Sequence, residues 1–110
     1  MKHGVCAILM FVTASLARAN SPFSPFEVKA LTIHDNGFHI LITAGSDIAT
    51  GEGCNSRTMM SLRKDHALFK EMYATLLSAA HTGKPISGWV NGCDATFGTP
   101  VLTRLDLWFK

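Results

Sequence analysis

Two histidines flank a segment of this chain that reads as a tight turn, and histidine is the side chain best suited to catalysis and metal binding near neutral pH. His34 and His39 lie on either side of Asp35-Asn36-Gly37, so a hairpin there would bring their rings across from each other. Such a pair could hold a metal ion or serve a small hydrolase. A pair of solvated surface histidines is the more common outcome of this pattern, and we expect that outcome here.

The other groups that could do chemistry lack the neighbours that catalysis needs. Ser46 does not lie in the Gly-x-Ser-x-Gly turn of serine hydrolases, and Gly51 and Gly53 are not followed by the Lys of a phosphate-binding loop. Asp47 and Glu52 fall in turn-like segments, where carboxylates bind nearby backbone amides. We therefore predict no catalytic residue, no metal ligand and no cofactor, and a protein that is not an enzyme.

Tryptophan is a better candidate, for binding rather than for catalysis. Trp89 and Trp108 fall in two predicted strands, each opposite the aliphatic residues of its strand. A tryptophan on an outer sheet face can stack on a sugar ring or anchor a protein interface. Partial burial under the N-terminal arm or a loop is the alternative, and it is the more common one. Trp89 is our candidate ligand-binding residue.

Residues 1–19 have the three parts of an export signal. Lys2 and His3 precede an apolar stretch, which ends in Ala17-Arg18-Ala19, an A-x-A cleavage pattern. The apolar stretch is too short to span a bilayer, which needs about 20 residues. We expect residues 20–110 to form a single domain, secreted or periplasmic, with no membrane span.

Loss of this signal peptide changes both the charge and the cysteine count. Without Lys2 and Arg18 the basic count falls from 10 to 8 and equals the 8 acidic residues. A neutral domain lacks the basic surface that nucleic acids require, so we expect no nucleic-acid partner. Cys6 is removed as well, and the remaining pair, Cys54 and Cys93, predicts one disulfide in an oxidising compartment. Two free thiols or metal ligands are the alternative.

Strands dominate the rest of the chain. Residues 20–26 contain two prolines and two phenylalanines, which predicts an extended arm that docks onto its own core or onto a neighbouring subunit. Asn36-Gly37 predicts a type I′ hairpin turn between the first two strands, since both central residues of that turn need positive φ. The predicted strands are residues 27–34, 38–44, 58–62, 86–92 and 101–109.

One helix is predicted between the third and fourth strands. Asp65 can serve as its N-cap, and Gly83 followed by Pro85 ends it. Its apolar residues recur every three or four positions and should face the core: Phe69, Met72, Tyr73, Leu76, Leu77 and Ala80. The resulting order predicts an α+β, mainly β domain, a small five-stranded OB-like barrel with one α-helix.

From residue 26 to residue 93 the chain resembles the B subunits of subtilase cytotoxin and related pertussis-like toxins. The shared features are the strand "FEVKALTIH", the hairpin into "FHILIT", a small-residue loop with a cysteine, and a helix that ends in Thr82-Gly83-Lys84-Pro85-Ile86. This last sequence matches the family's T-G-[KQ]-P-[VI] turn. The resemblance implies an OB-like barrel, a homopentameric ring, a toxin A subunit as partner and binding of sialylated host glycans.

The resemblance also singles out Glu27. In the family a glycan-contacting serine follows the aromatic residue of the first strand, and here Glu27 follows Phe26. A carboxylate at that position would repel the carboxylate of sialic acid. Glu27 and Trp89 are thus the two candidate ligand-binding residues, for a glycan or a protein. The alternative is a stand-alone periplasmic or secreted protein with a structural or inhibitory role and no glycan site.

Overall fold

The prolines of the N-terminal segment do not keep it out of the sheet. In the computed structural model, which describes residues 20–109, strand β1 runs over Ser21–Ile33. Its first part pairs with a different neighbour from its second part, and a register shift between Phe23 and Phe26 accommodates Pro25 and bends the strand. The predicted arm therefore docks onto its own core, where Phe23 is buried.

Four further strands and one helix complete the domain. The strands pair in the order β1-β2-β3-β5-β4, and β4 returns to β1, which closes a barrel. This mainly β arrangement confirms the predicted fold class and is compatible with the OB-like barrel. The elements are β2 (His39–Ala44), β3 (Met59–Arg63), α1 (Phe69–Thr82), β4 (Pro85–Cys93) and β5 (Pro100–Leu107).

The hairpin between β1 and β2 is present, but the type I′ prediction is wrong. Of the two residues that this turn type requires in the left-handed region, Gly37 has a positive φ of 75° and Asn36 does not. The backbone amide of His34 donates to the carbonyl of His39, so the loop is longer than two residues. Asn36 acts through its side chain, whose oxygen accepts hydrogen bonds from the amides of Phe38 and His39 at 2.9 and 3.2 Å.

Helix α1 buries a narrower face than its apolar pattern predicts. Its buried residues are Met72, Leu76 and Ala79, whereas Leu77 is 45% exposed and Ala80 is exposed too. Phe69 and Tyr73 of the predicted stripe pack against the core and are partly buried, and Ala79 replaces Ala80 on the buried side.

The structure confirms the predicted C-terminal end of α1 but not its predicted N-cap. Gly83 ends the helix in the left-handed conformation, with φ of 71°, as predicted. Asp65 is not the N-cap: the helix begins after Leu68 without a side-chain cap, and Asp65 instead pairs with Arg63 at 3.3 Å. No helix in the described part of the chain is long and apolar enough to cross a membrane.

The core fills the barrel and is reinforced by the predicted disulfide. Seven large apolar side chains are almost completely buried: Ile42, Met60, Leu62, Leu76, Ile86, Val90 and Leu102. The disulfide joins Cys54 to Cys93, with the two Cα atoms 5.5 Å apart. In the chain-entropy model a closed loop of this length stabilises the fold by about 4 kcal/mol.

Strand β5 changes its inward face partway along. Its simple alternation predicts Val101 and Thr103 on the same face as Leu105, yet Leu102 is the residue that is 1% exposed. Val90 pairs with Leu102 and Trp89 pairs with Arg104, so Thr103 is an extra residue in β5. This bulge explains why Leu102 and Leu105 both pack against the core.

Candidate functional site

A buried group of polar side chains lies where β2, β3 and the β4–β5 connection meet. His39 is 6% exposed and Asp94 is 2% exposed. Nε2 of His39 lies 2.8 Å from Oδ2 of Asp94, and Nη1 of Arg63 lies 3.2 Å from the same oxygen. The prediction of a solvated histidine pair is therefore wrong for His39, because Asp94, distant in sequence, gives it a buried partner.

The hydrogen bonds of Asn36 define the protonation of the His39 ring. The Asn36 side-chain oxygen accepts from backbone amides, so its nitrogen donates to Nδ1 of His39 over 2.9 Å. Because Nδ1 accepts a hydrogen bond, the neutral ring carries its proton on Nε2 and donates it to Asp94. Both ring nitrogens are thus occupied, and neither is free to take a proton from a substrate.

Asp94 also organises the loop that follows β4. Its Oδ1 accepts hydrogen bonds from the amides of Thr96 and Phe97 at 2.8 and 3.3 Å. Burial disfavours the charged carboxylate, but the hydrogen bond from His39 and those from the two amides outweigh it, so the pKa of Asp94 lies below its usual value. The carboxylate is consequently ionised and fully engaged at neutral pH.

Arg63 closes the cluster on its solvent side. Hydrogen bonding to Asp65 is the main reason that the pKa of Arg63 is raised, with Asp94 adding to the effect. The guanidinium also lies 4.9 Å from the centre of the Phe38 ring, a cation–π contact. The cluster is thus built as a structural ion pair.

The side chain of His34 is linked to this cluster only indirectly, since its Nδ1 accepts a hydrogen bond from the backbone amide of Asn36 over 3.1 Å. Its ring and that of His39 both meet the ring of Phe97 edge-on, at 5.0 and 4.9 Å between centroids. The two histidines thus share Asn36 and Phe97 as neighbours. Within residues 20–109, no three His, Cys, Asp or Glu side chains are grouped as a metal site would need.

Trp89 lies on the outer face of the barrel, as its strand pattern predicts. On β4 the inward residues Ile86, Gly88 and Val90 are buried, and Trp89 between them is half-buried. Pro22 of β1 and Arg104 of β5 pair with it on either side. A shallow cavity of about 320 Å³ adjoins its ring, lined by Asn20, Trp89, Thr103 and Arg104.

The polar groups around this cavity are partly engaged already. The hydroxyl of Thr103 donates to the carbonyl of Trp89 over 3.2 Å, and Nε of Arg104 donates to Asp106 over 3.1 Å. The Asn20 side-chain oxygen accepts from the Thr103 hydroxyl over 3.5 Å, so the side-chain NH₂ of Asn20 and the remaining guanidinium nitrogens are the groups that can bind a polar ligand. Trp89 was the only member of this set that the sequence singled out, because the others come from strands distant along the chain.

Glu27 lies on the same outer face but in a different place. It pairs with Pro85, four residues before Trp89 on β4, which puts the two candidates about 13 Å apart. Its carboxylate lies 3.5 Å from the ammonium group of Lys29, and both side chains are more than half exposed. The structure does not combine Glu27 and Trp89 into one small-molecule site.

A further cavity, of about 420 Å³, lies at the loop between β2 and β3. Glu52 on its wall is not available for catalysis, since its two oxygens accept hydrogen bonds from the Ser21 hydroxyl at 2.8 Å and the Gly92 amide at 3.0 Å. This carboxylate ties the loop to β1 and β4 beside the Cys54–Cys93 disulfide.

The chain is a small, mainly β barrel with one disulfide. Its outer face carries a tryptophan beside polar residues. No known protein family, curated protein or solved structure matches the chain. The resemblance to toxin B subunits therefore rests on the sequence patterns described above.

Proposed function

We propose that this chain is an exported, non-enzymatic binding domain, and that it binds through the outer face formed by β1, β4 and β5. The observation that carries the proposal is the cavity of about 320 Å³ beside Trp89. An indole face next to amide, hydroxyl and guanidinium groups suits a sugar ring, which stacks on the aromatic surface and hydrogen-bonds through its hydroxyls.

The buried polar cluster supports the non-enzymatic part of this proposal. His39 and Asp94 have the residue types of a catalytic pair, but both nitrogens of the histidine and both oxygens of the carboxylate already have partners. General acid–base catalysis needs a group within reach of the substrate, and these side chains are almost inaccessible to solvent.

The resemblance to toxin B subunits supports a host glycan as ligand, with a toxin A subunit and a homopentameric ring as further partners. Glu27 argues against sialic acid within that group, since its carboxylate stands where the family has a serine. We propose a neutral glycan or a protein surface as ligand. The binding proposal does not depend on how many copies assemble.

The test is a glycan array probed with the protein expressed from its full gene. Export is checked by the intact mass, which should correspond to a chain that starts at Asn20 with one disulfide. Trp89→Ala should weaken binding to any positive glycan by about tenfold or more, because loss of an aromatic anchor at a binding surface costs about 2 kcal/mol. Leu77→Ala, which removes an exposed side chain from the helix, is the matched control.

Three results would count against the proposal. Equal binding by Trp89→Ala and the Leu77→Ala control would place the ligand elsewhere. Turnover of a substrate would refute the non-enzymatic assignment. An array without positive glycans, together with no protein ligand, would favour the stand-alone structural or inhibitory protein.

A further inference from the structure

Strand β5 has one side that no other strand covers over most of its length. It pairs with β4 from Pro100 to Leu107, but among residues 20–109 it pairs with β3 only at Val101, opposite Ser61. From Thr103 to Leu105 this second side faces a groove of about 250 Å³, whose far wall is the start of α1. An uncovered strand edge presents backbone groups that pair readily with another strand.

The direction of the backbone groups follows from two contacts. The carbonyl of Arg104 faces β4, because a Cβ atom on Gly88 would run into it. The carbonyl of Thr103 faces the other way and accepts a hydrogen bond from Nε2 of His66 over 2.9 Å. Since alternate residues of a strand point to alternate sides, Leu105 and Leu107 direct their N–H and C=O groups to the open edge.

The two charged residues along this edge are placed so that each would face its opposite charge in a second, antiparallel copy of β5. Arg104 and Asp106 lie on the outer face, with Leu105 between them pointing to the core. If a second β5 lies antiparallel with Leu105 opposite Leu105, Arg104 of each chain lies opposite Asp106 of the other. Oppositely charged residues directly across an antiparallel pair stabilise it, and like charges destabilise it.

We infer that the open edge of β5 binds the same edge of a second copy of this chain, as an antiparallel pair centred on Leu105. The occupant is an extended backbone, because the edge offers unpaired backbone groups. It is a second copy of this chain, because Arg104 of each copy then lies opposite Asp106 of the other. The contact extends the sheet across two barrels. It also brings the exposed Leu68, which lines the groove, into the dimer interface.

The symmetry of this contact has a definite consequence. The same residues meet on both sides, so the contact is isologous and is complete with two copies. A ring of five requires two different surfaces on each subunit. The β5 contact therefore does not by itself build the homopentamer that the resemblance implies, and it holds whether or not the proposed binding function is correct.

The test uses two charge-reversing variants of the full chain, Arg104→Asp and Asp106→Arg. Each places like charges opposite each other at both ends of the contact, so the Kd for self-association should rise about tenfold or more. When the two variants are mixed, every position across the pair is complementary again, and a 1:1 heterodimer should form. Both side chains lie on the outer face, where Arg104 is 64% and Asp106 25% exposed, so the reversals are made away from the core; urea unfolding of each variant checks that it remains folded.

Mixing the two variants distinguishes the loss of charge pairing between chains from changes within one chain. Each variant loses the Arg104–Asp106 ion pair within its own strand, and mixing cannot restore that pair. Lys29→Glu is the matched control, since it breaks a similar exposed pair with Glu27 on β1, which does not pair with β5. This control should self-associate like the unmodified protein.

Light scattering and native mass spectrometry would measure association from about 1 μM to about 1 mM, the range of weak interfaces. Hydrogen exchange would locate the contact, because the amides of Leu105 and Leu107 should become protected as concentration rises. A protein that stays monomeric throughout would overturn the inference and leave the edge for a strand of another protein. An assembly that ignores both reversals, a pentamer included, or a mixture without heterodimer would overturn it too.

Discussion

Asp94→Asn tests how much the buried polar cluster stabilises the barrel. The substitution keeps the shape of the side chain but replaces one acceptor oxygen by an NH₂ group. In the folded protein, Oδ2 faces donors from His39 and Arg63, and Oδ1 faces the amides of Thr96 and Phe97. Either orientation of the new amide therefore points its NH₂ group at donors.

The magnitude follows from burial. Removing one partner of a buried ion pair destabilises a protein by about 3–5 kcal/mol. The contribution of Arg63 is smaller than this because its side chain is 36% exposed and water can replace its partner. We expect a loss of about 3 kcal/mol in the free energy of unfolding at pH 7, and a fall in Tm of roughly 12–24 °C for a domain of this size.

The pH dependence of this loss has a definite sign. Because the folded-state pKa of Asp94 is lowered, its carboxylate stabilises the fold above the unfolded-state value of about 3.9. That stabilisation disappears as the pH falls through the folded-state pKa, where the acid becomes uncharged like asparagine. The stability gap between wild type and Asp94→Asn should therefore be full at pH 7 and shrink below pH 3.9.

Urea unfolding followed by tryptophan fluorescence, at several pH values, gives both quantities. Asp47→Asn is the control, since Asp47 is exposed and makes no ion pair or hydrogen bond among the described residues; it should change stability by less than about 0.5 kcal/mol. A gap below 1 kcal/mol at pH 7 would refute the structural role of the cluster. A gap that persists unchanged in acid would refute its electrostatic origin.

Two further predictions concern packing, and urea unfolding measures both. Gly88→Ala should destabilise the fold by more than about 3 kcal/mol, because the new Cβ atom would meet the carbonyl of Arg104 and because Gly88 has a φ of 152°. Gly53→Ala is the control and should have a mild effect, since no atom lies within 4 Å of the Cβ that it would add. Leu76→Ala should cost about 2–5 kcal/mol and Leu77→Ala less than about 1, since only Leu76 is buried; equal effects would contradict the orientation of the helix.

Features set by near neighbours in the chain could be predicted from the sequence. The alternation of β4 predicts that Ile86 and Val90 are buried, and Gly83 before Pro85 predicts the end of the helix; both are confirmed. The disulfide was predictable for a different reason, since Cys54 and Cys93 are the only cysteines after residue 19.

Features set by distant contacts could not be predicted. Asp94 reads as a turn residue in the sequence, and nothing near it indicates that His39 is its partner across the barrel. The bulge at Thr103 changes which face of β5 is inward, and a bulge has no reliable local signal here. Trp89 could be predicted as a candidate, but the cavity beside it depends on Asn20 and Arg104, which only barrel closure brings near.

The long, bent β1 affects the order in which the barrel can form. Its second part pairs with β2 across a short hairpin, but its first part pairs with β4, so Phe23 lies opposite Gly88. A chain that emerges N-terminus first exposes this segment, with its two phenylalanines, until most of the domain has followed. Closing such a distant pair is slow compared with hairpin formation, and an unpaired apolar strand favours aggregation meanwhile. The Ser-Pro pair that precedes each phenylalanine of residues 21–26 offsets this risk, because proline resists strand addition.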